Sequence, residues 1–313
     1  MAEHRSKFVE IQIESGYLGS VDTRDEPSSS IPYEGRWAVI RHKLRKAAAE
    51  FVGTTILMTL GLGAIAQLAL TPERSSWGAM AATWGLSLTL AIYGSGGISG
   101  AALNPAVTLA MALFRGFSWV DVPLYWAAQT AGAFAAALII FILNEPAIHA
   151  LNKPEHTIGI FITGLQTTTA FPNTSLNETT TVLHAGVQLQ TSTTTAFFAE
   201  FLGTALLMFV ILATSQSRGI TPTDPKVQPM VIGVALTAIG MGLGVQTGFA
   251  LNPARDFGPR MFVAVAGWGV KAFSRQGYYF WVPIIAPFLG AIGGALTHDI
   301  LAHTSKQGAP SRL

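Results

Sequence analysis

Ser99-Gly100-Ala101-Ala102-Leu103-Asn104-Pro105-Ala106-Val107-Thr108 decides how this chain is built, because its centre returns in Thr247-Gly248-Phe249-Ala250-Leu251-Asn252-Pro253-Ala254-Arg255-Asp256. In each copy an asparagine, a favoured N-cap, precedes a proline suited to the first helical position. The apolar run that follows each copy is too short to cross a bilayer, which takes about 20 residues. Two short helices that begin inside a membrane, each presenting unpaired N–H groups at its start, imply a shared polar purpose.

The rest of the chain supports the membrane reading. Of 313 residues, 50% are apolar and 12% charged, with a mean hydropathy of +0.43. The net charge of +2 gives no footprint for nucleic acid, and with no cysteine there is no disulfide, thiol catalysis or thiolate metal site. Seven histidines lie scattered without ligand spacing, so neither a metal nor a cofactor is expected. Residues 1–46 read as a flexible cytoplasmic tail. It ends in the cluster Arg36, Arg41, Lys43, Arg45 and Lys46, which favours a cytoplasmic N-terminus by the positive-inside rule.

Residues 47–302 then form the membrane domain. Spans are expected over 47–70, 77–93, 122–143, 196–214, 228–245 and 279–302, with half-helices starting at Asn104 and Asn252. Repeat one covers 47–144, an extracellular loop 145–195, repeat two 196–302, and a cytoplasmic tail 303–313. The loop holds two glycosylation patterns, at Asn173 and Asn177.

A longer repeat encloses the short one. Ala49-Glu50-Phe51-Val52-Gly53-Thr54 matches Ala199-Glu200-Phe201-Leu202-Gly203-Thr204, and Val122-Pro123 and Gly132-Ala133 match Val282-Pro283 and Gly290-Ala291. Two units of three spans must be inverted with respect to each other, which places a shared site near the bilayer midplane. The expected fold is therefore an all-α membrane protein of six transmembrane helices and two re-entrant half-helices around a central pore.

At these motifs the chain resembles the major intrinsic protein family of aquaporins and glycerol facilitators, over about residues 47–301. The resemblance is to the glycerol branch, because Asp256 follows Arg255 in the second copy. It implies a passive channel for glycerol, water and other small neutral solutes, in a homotetramer, most simply in the plasma membrane with both termini cytoplasmic. It implies pore motifs at Asn104, Pro105, Ala106, Asn252, Pro253 and Ala254, and a selectivity constriction of Trp84, Gly240, Phe249 and Arg255. Strict water channels carry His where this chain has Gly240, and most of the family carries His where it has Ala102. Glu50 and Glu200 are expected to accept N–H bonds from the irregular loops before the half-helices, and Asp256 to pack behind the pore. Gly290 and Gly294 form a small-residue face on the last span, suited to close packing inside the bundle.

Two other classes fit parts of the sequence. Gly97-Ile98-Ser99-Gly100 with His298 is the minimum of an intramembrane serine protease. Glu50, Glu200 and Asp256 are the titratable groups that an ion- or proton-coupled transporter would need.

Overall fold

The computed structural model describes residues 36–151, 157–170, 187–215 and 219–307. Its helices are α1 (Arg36–Leu70), α2 (Trp77–Ser99), α3 (Pro105–Phe114), α4 (Val122–Leu151), α5 (Thr193–Ala213), α6 (Gln228–Leu243), α7 (Pro253–Val263), α8 (Lys271–Tyr278) and α9 (Val282–Gln307). Four stretches among the described residues, in α1, α4, α5 and α8–α9, are long and apolar enough to cross a membrane by themselves. The other two spans of the six-span fold are α2, rich in Gly, Ser and Thr, and α6, whose 16 residues rise only about 24 Å. With α3 and α7 as half-helices, the architecture is the helical one expected.

Local chemistry sets the helix ends. Ser76 caps α2 by accepting from the Ala79 N–H at 3.1 Å, and Gly100, at φ 82°, ends it. Asn104 and Asn252 each cap a half-helix and are followed by proline, whose missing N–H would have been unpaired there anyway.

The two units pack alike. In the first, α1 lies against α2 and α4; in the second, α5 lies against α6 and α9. Gly132 lets α4 approach α1 so closely that an added Cβ would sit 2.5 Å from the Phe51 carbonyl, and Gly290 does the same for α9 at 2.3 Å from the Phe201 carbonyl. Gly294 faces the Ala205 backbone of α5, so the small-residue face of the last span packs inside the bundle. The units meet where α2 crosses α6.

The segment read as a polar extracellular loop is more structured than expected. Helix α4 continues to Leu151 with Pro146 inside it. Thr157 to Gly164 then pack inward, with Ile158, Ile160, Phe161 and Ile162 buried. Strands β1 (Thr167–Ala170) and β2 (Val187–Gln190) pair antiparallel, Thr167 opposite Gln190. The physical reason is an apolar run, Ile158-Gly159-Ile160-Phe161-Ile162, that cannot stay in water. Residues 36–46, expected as the end of the flexible tail, are instead the first turns of α1, and α9 carries residues 303–307 of the expected C-terminal tail, because each apolar span extends its helix past its own end. Asn173, Asn177 and residues 1–35 lie outside the described residues.

Candidate functional site

Both copies of the repeated loop hold backbone in a conformation that side chains rarely take. Gly100, Ala101 and Leu103 have φ of 82°, 51° and 50°; Gly248, Phe249 and Leu251 have 88°, 40° and 53°. Each non-glycine residue there costs on the order of 1–3 kcal/mol and persists only where surroundings enforce it. The enforcing groups are the two buried glutamates. Glu50 accepts from the N–H of Ala102 at 3.0 Å and of Leu103 at 2.8 Å, and Glu200 accepts from Ala250 at 2.9 Å and Leu251 at 2.7 Å. The hydroxyls of Ser99 and Thr247 accept the N–H two residues on, at Ala101 and Phe249.

The first carboxylate is held further, by Ser99 Oγ at 2.6 Å and Gln129 Nε2 at 2.7 Å. Glu50→Gln would turn an amide NH2 toward donors that now find an oxygen. The expected result is a loss of about 1–3 kcal/mol of stability, the cost of orphaning buried hydrogen-bond groups, read as a lowered melting temperature in detergent. An unchanged melting temperature would mean the loop holds its shape without the carboxylate.

The loops bring the half-helix tips together. Asn104 Oδ1 accepts from the Ala106 N–H at 2.8 Å and Asn252 Oδ1 from the Ala254 N–H at 3.0 Å. Each side-chain amide donates across the interface, Asn104 to the Leu251 carbonyl and Asn252 to the Leu103 carbonyl, both at 2.8 Å. The tips are thus joined by asparagine, while Pro105 and Pro253 line an apolar crevice behind them with Trp126 and Phe288. An amide nitrogen carries two protons, so each asparagine keeps one donor beyond this bond.

Both asparagines line a narrow interior cavity with Trp84, Phe249 and Arg255. The Arg255 guanidinium lies 4.8 Å from the Trp84 ring centroid, and Trp84 and Phe249 meet edge to face at 6.2 Å. Gly240 stands behind Phe249, where an added Cβ would be 2.9 Å from its Cζ. Arg255 is buried, and its Nε and Nη1, like Trp84 Nε1, make no hydrogen bond within the protein.

Repeat symmetry maps this end of the cavity onto the other. Asn252 is 148 positions after Asn104 (252 − 104), and the same shift pairs Trp84 with Ile232, Gly240 with Ile92, Phe249 with Ala101 and Arg255 with Val107. These four counterparts line the same cavity. They are wholly apolar, so the cavity is symmetric in backbone and polarised in side chain. Ala102 also lines it.

Asp256 is not on that wall. It is fully buried and accepts from Arg260 Nε at 2.7 Å and Nη2 at 3.0 Å, and from the Thr163 N–H at 2.9 Å. Arg260, itself buried, also donates to the carbonyls of Thr163 and Ala272. The inward segment continues past the repeated loop: the Gly164 N–H donates to Thr247 and the Gln166 N–H to Gln246. Gln276 clamps it by a two-way bond to the Leu165 main chain, 2.8 and 2.7 Å. Sequence reading missed Arg260, Thr163, Gln129 and Gln276. Only Arg260 left a signal, four residues after an intramembrane aspartate on a helix.

The rival chemistries find no geometry. Ser99 is bonded to Glu50, whereas His298 Nδ1 is engaged by Arg115 at 3.1 Å and Asp299 at 2.8 Å. A nucleophile and base are therefore not paired. Glu50, Glu200 and Asp256 spend their carboxylates on backbone N–H groups, joined by Ser99 and Gln129 for Glu50 and by Arg260 for Asp256.

Comparison with known proteins agrees with this geometry. The family model described as Major intrinsic protein matches residues 38–298. The chain is 39% identical over 285 residues to Aquaglyceroporin-2 of Rhizophagus irregularis, covering 90% of this chain and 85% of that one. It is 34% identical over 300 residues to Aquaporin-6 of Laccaria bicolor, covering 93% and 90%. The X-ray structure of the aquaglyceroporin from Plasmodium falciparum superposes with a TM-score of 0.70 at 30% identity, covering 83% of this chain and 99% of that chain.

Proposed function

Because the chain belongs to the major intrinsic protein family, we propose that it is an integral membrane channel passing glycerol and water passively, with ions and protons excluded. The observation that carries the reading is the polarised end of the cavity. There an apolar corner, Trp84 and Phe249, faces the unpartnered donors of Arg255. A polyol has one carbon face and one hydroxyl face, and this slot offers one surface to each. Arg255, with five N–H donors in a fixed fork, can bond successive hydroxyls without accepting any proton. Gly240, which does not itself line the cavity, leaves room for the Phe249 ring to stand back from the carbon chain. The same group of residues, Trp84, Gly240, Phe249 and Arg255, is thus assigned the selection of solute.

At the midpoint Asn104 and Asn252 orient the solute oxygen with their remaining amide protons. Each half-helix N-terminus carries roughly half a positive charge. Two such ends facing one lumen, together with Arg255, oppose the entry of a cation or hydronium. Pro105, Ala106, Pro253 and Ala254 belong to the tips, and Glu50, Glu200 and Asp256 support them from behind. Other small neutral solutes of similar width pass by the same route. The chain works as a homotetramer in the plasma membrane with both termini cytoplasmic, an orientation that the basic cluster before the first span favours.

Stopped-flow light scattering on proteoliposomes tests this. Glycerol and water gradients should both relax faster than in empty vesicles, and a sorbitol gradient should not dissipate. Water flux without glycerol flux would overturn the glycerol assignment, and proton current accompanying glycerol would replace the channel by a coupled transporter.

A further inference from the structure

Phe249 is a wall of the slot, yet its own backbone is strained, at φ 40°. Something must hold its ring. Two glycines four positions apart at the end of α6, Gly240 in its last turn and Gly244 at its C-cap, make a recess for it: an added Cβ at Gly240 would lie 2.9 Å from Phe249 Cζ, and one at Gly244 would lie 2.5 Å from Cδ1. The recess is closed by Trp77, the first residue of α2. Its ring meets Phe249 edge to face, with centroids 5.9 Å apart and planes at 73°. The same hypothetical Gly244 Cβ would be 2.9 Å from Trp77 Cζ2, so the indole lies on the far side of that recess. Trp77 is not among the residues lining the cavity.

Trp77 is anchored to the same helix that bears the recess. Its indole Nε1 donates to the Gly240 carbonyl at 3.0 Å. Helix α6 ends at Leu243, so Gly240 contributes one of the last four carbonyls, which lack a partner further along the helix. The indole therefore caps α6 from the opposite repeat while its ring edge fixes Phe249. The repeat has no second such device, since the counterparts of Trp77 and Gly240 are Pro225 and Ile92. This one-sidedness matches the one-sidedness of the slot.

We infer that Trp77 is a specificity-setting positioning residue, which determines the width of the solute slot by holding Phe249 without touching the solute. The inference rests on the glycerol-channel reading above.

The test is the ratio of glycerol to erythritol permeability, measured beside water permeability in proteoliposomes at equal channel density. Trp77→Ala removes both cap and ring, and the freed Phe249 should let the four-carbon polyol through, lowering the ratio about threefold, the scale of one aromatic edge contact. Trp77→Phe keeps a ring edge without the N–H and should fall between wild type and Trp77→Ala. Equal losses of water, glycerol and erythritol flux in Trp77→Ala, or an unchanged ratio in a folded variant, would overturn the inference. Failure of the function reading is separate: it would be seen as absent glycerol flux in the wild-type vesicles.

Discussion

Gly240→His is expected to cut glycerol permeability about tenfold or more, the range over which a methylene-sized misfit is felt in an apolar pocket, and to cut water permeability less. The first atom added already does damage. A Cβ at position 240 would stand 2.9 and 3.0 Å from two carbons of the Phe249 ring and 3.2 Å from the Ala81 Cβ. The ring cannot retreat, because Trp77 and Trp84 meet it edge to face. It must shift at the expense of the lumen, and the imidazole follows. Water is narrower than a carbon chain and can accept a bond from an imidazole N–H, so its flux should suffer less. Gly240→Ala separates the two steps: it moves the ring without adding a donor, and should lower glycerol flux by a smaller factor. Paired stopped-flow measurements of glycerol and water decide the matter. Equal losses in both would place the narrowest point elsewhere in the cavity.

Why this slot was legible in sequence while its supports were not comes down to repetition. The duplicated Asn-Pro-Ala and Ala-Glu-Phe-x-Gly-Thr stretches carry their own cross-check, since a contact between the duplicated residues of one unit has a counterpart in the other. The bonds from Glu50 to Leu103 and from Glu200 to Leu251 are such a pair. The inward segment has no counterpart. Thr163 meets Asp256 across 93 positions and Gln276 meets Leu165 across 111, and nothing in a Thr-rich stretch announces such partners. Even so, Ile158 to Ile162 is apolar enough to have argued against a loop in water. Trp77 was hidden differently: a tryptophan at the start of a membrane span reads as an interfacial anchor, and only its distance to Phe249 says otherwise. Asparagine showed a third limit. Its place at the half-helix tips is plain in the sequence, but its amide ties the two tips together across 147 and 149 positions, which no local pattern signals.

Arg260→Ala should be the most destabilising single change near the site. Arg260 and Asp256 are both buried and bonded twice to each other, and removing one partner of a buried pair costs about 3–5 kcal/mol, because the other charge is left unpaired in a dry interior. The loss should not stay local. Asp256 also holds the main chain of Thr163, whose neighbour Gly164 bonds the Thr247 carbonyl just ahead of Phe249. With the pair broken, the inward segment loses its anchor and the slot loses one wall's support, so glycerol flux per folded channel should fall with the melting temperature. The double variant Asp256→Asn with Arg260→Met removes both charges and keeps bulk, and should melt above Arg260→Ala despite carrying an additional substitution. Thermal unfolding followed by size-exclusion profile in detergent measures this cycle. If the double variant melts below the single one, the damage comes from lost hydrogen bonds to Thr163 and Ala272 rather than from an unpaired charge. If Arg260→Ala melts with the wild type, the segment is held by Gln276 and the repeated loop alone.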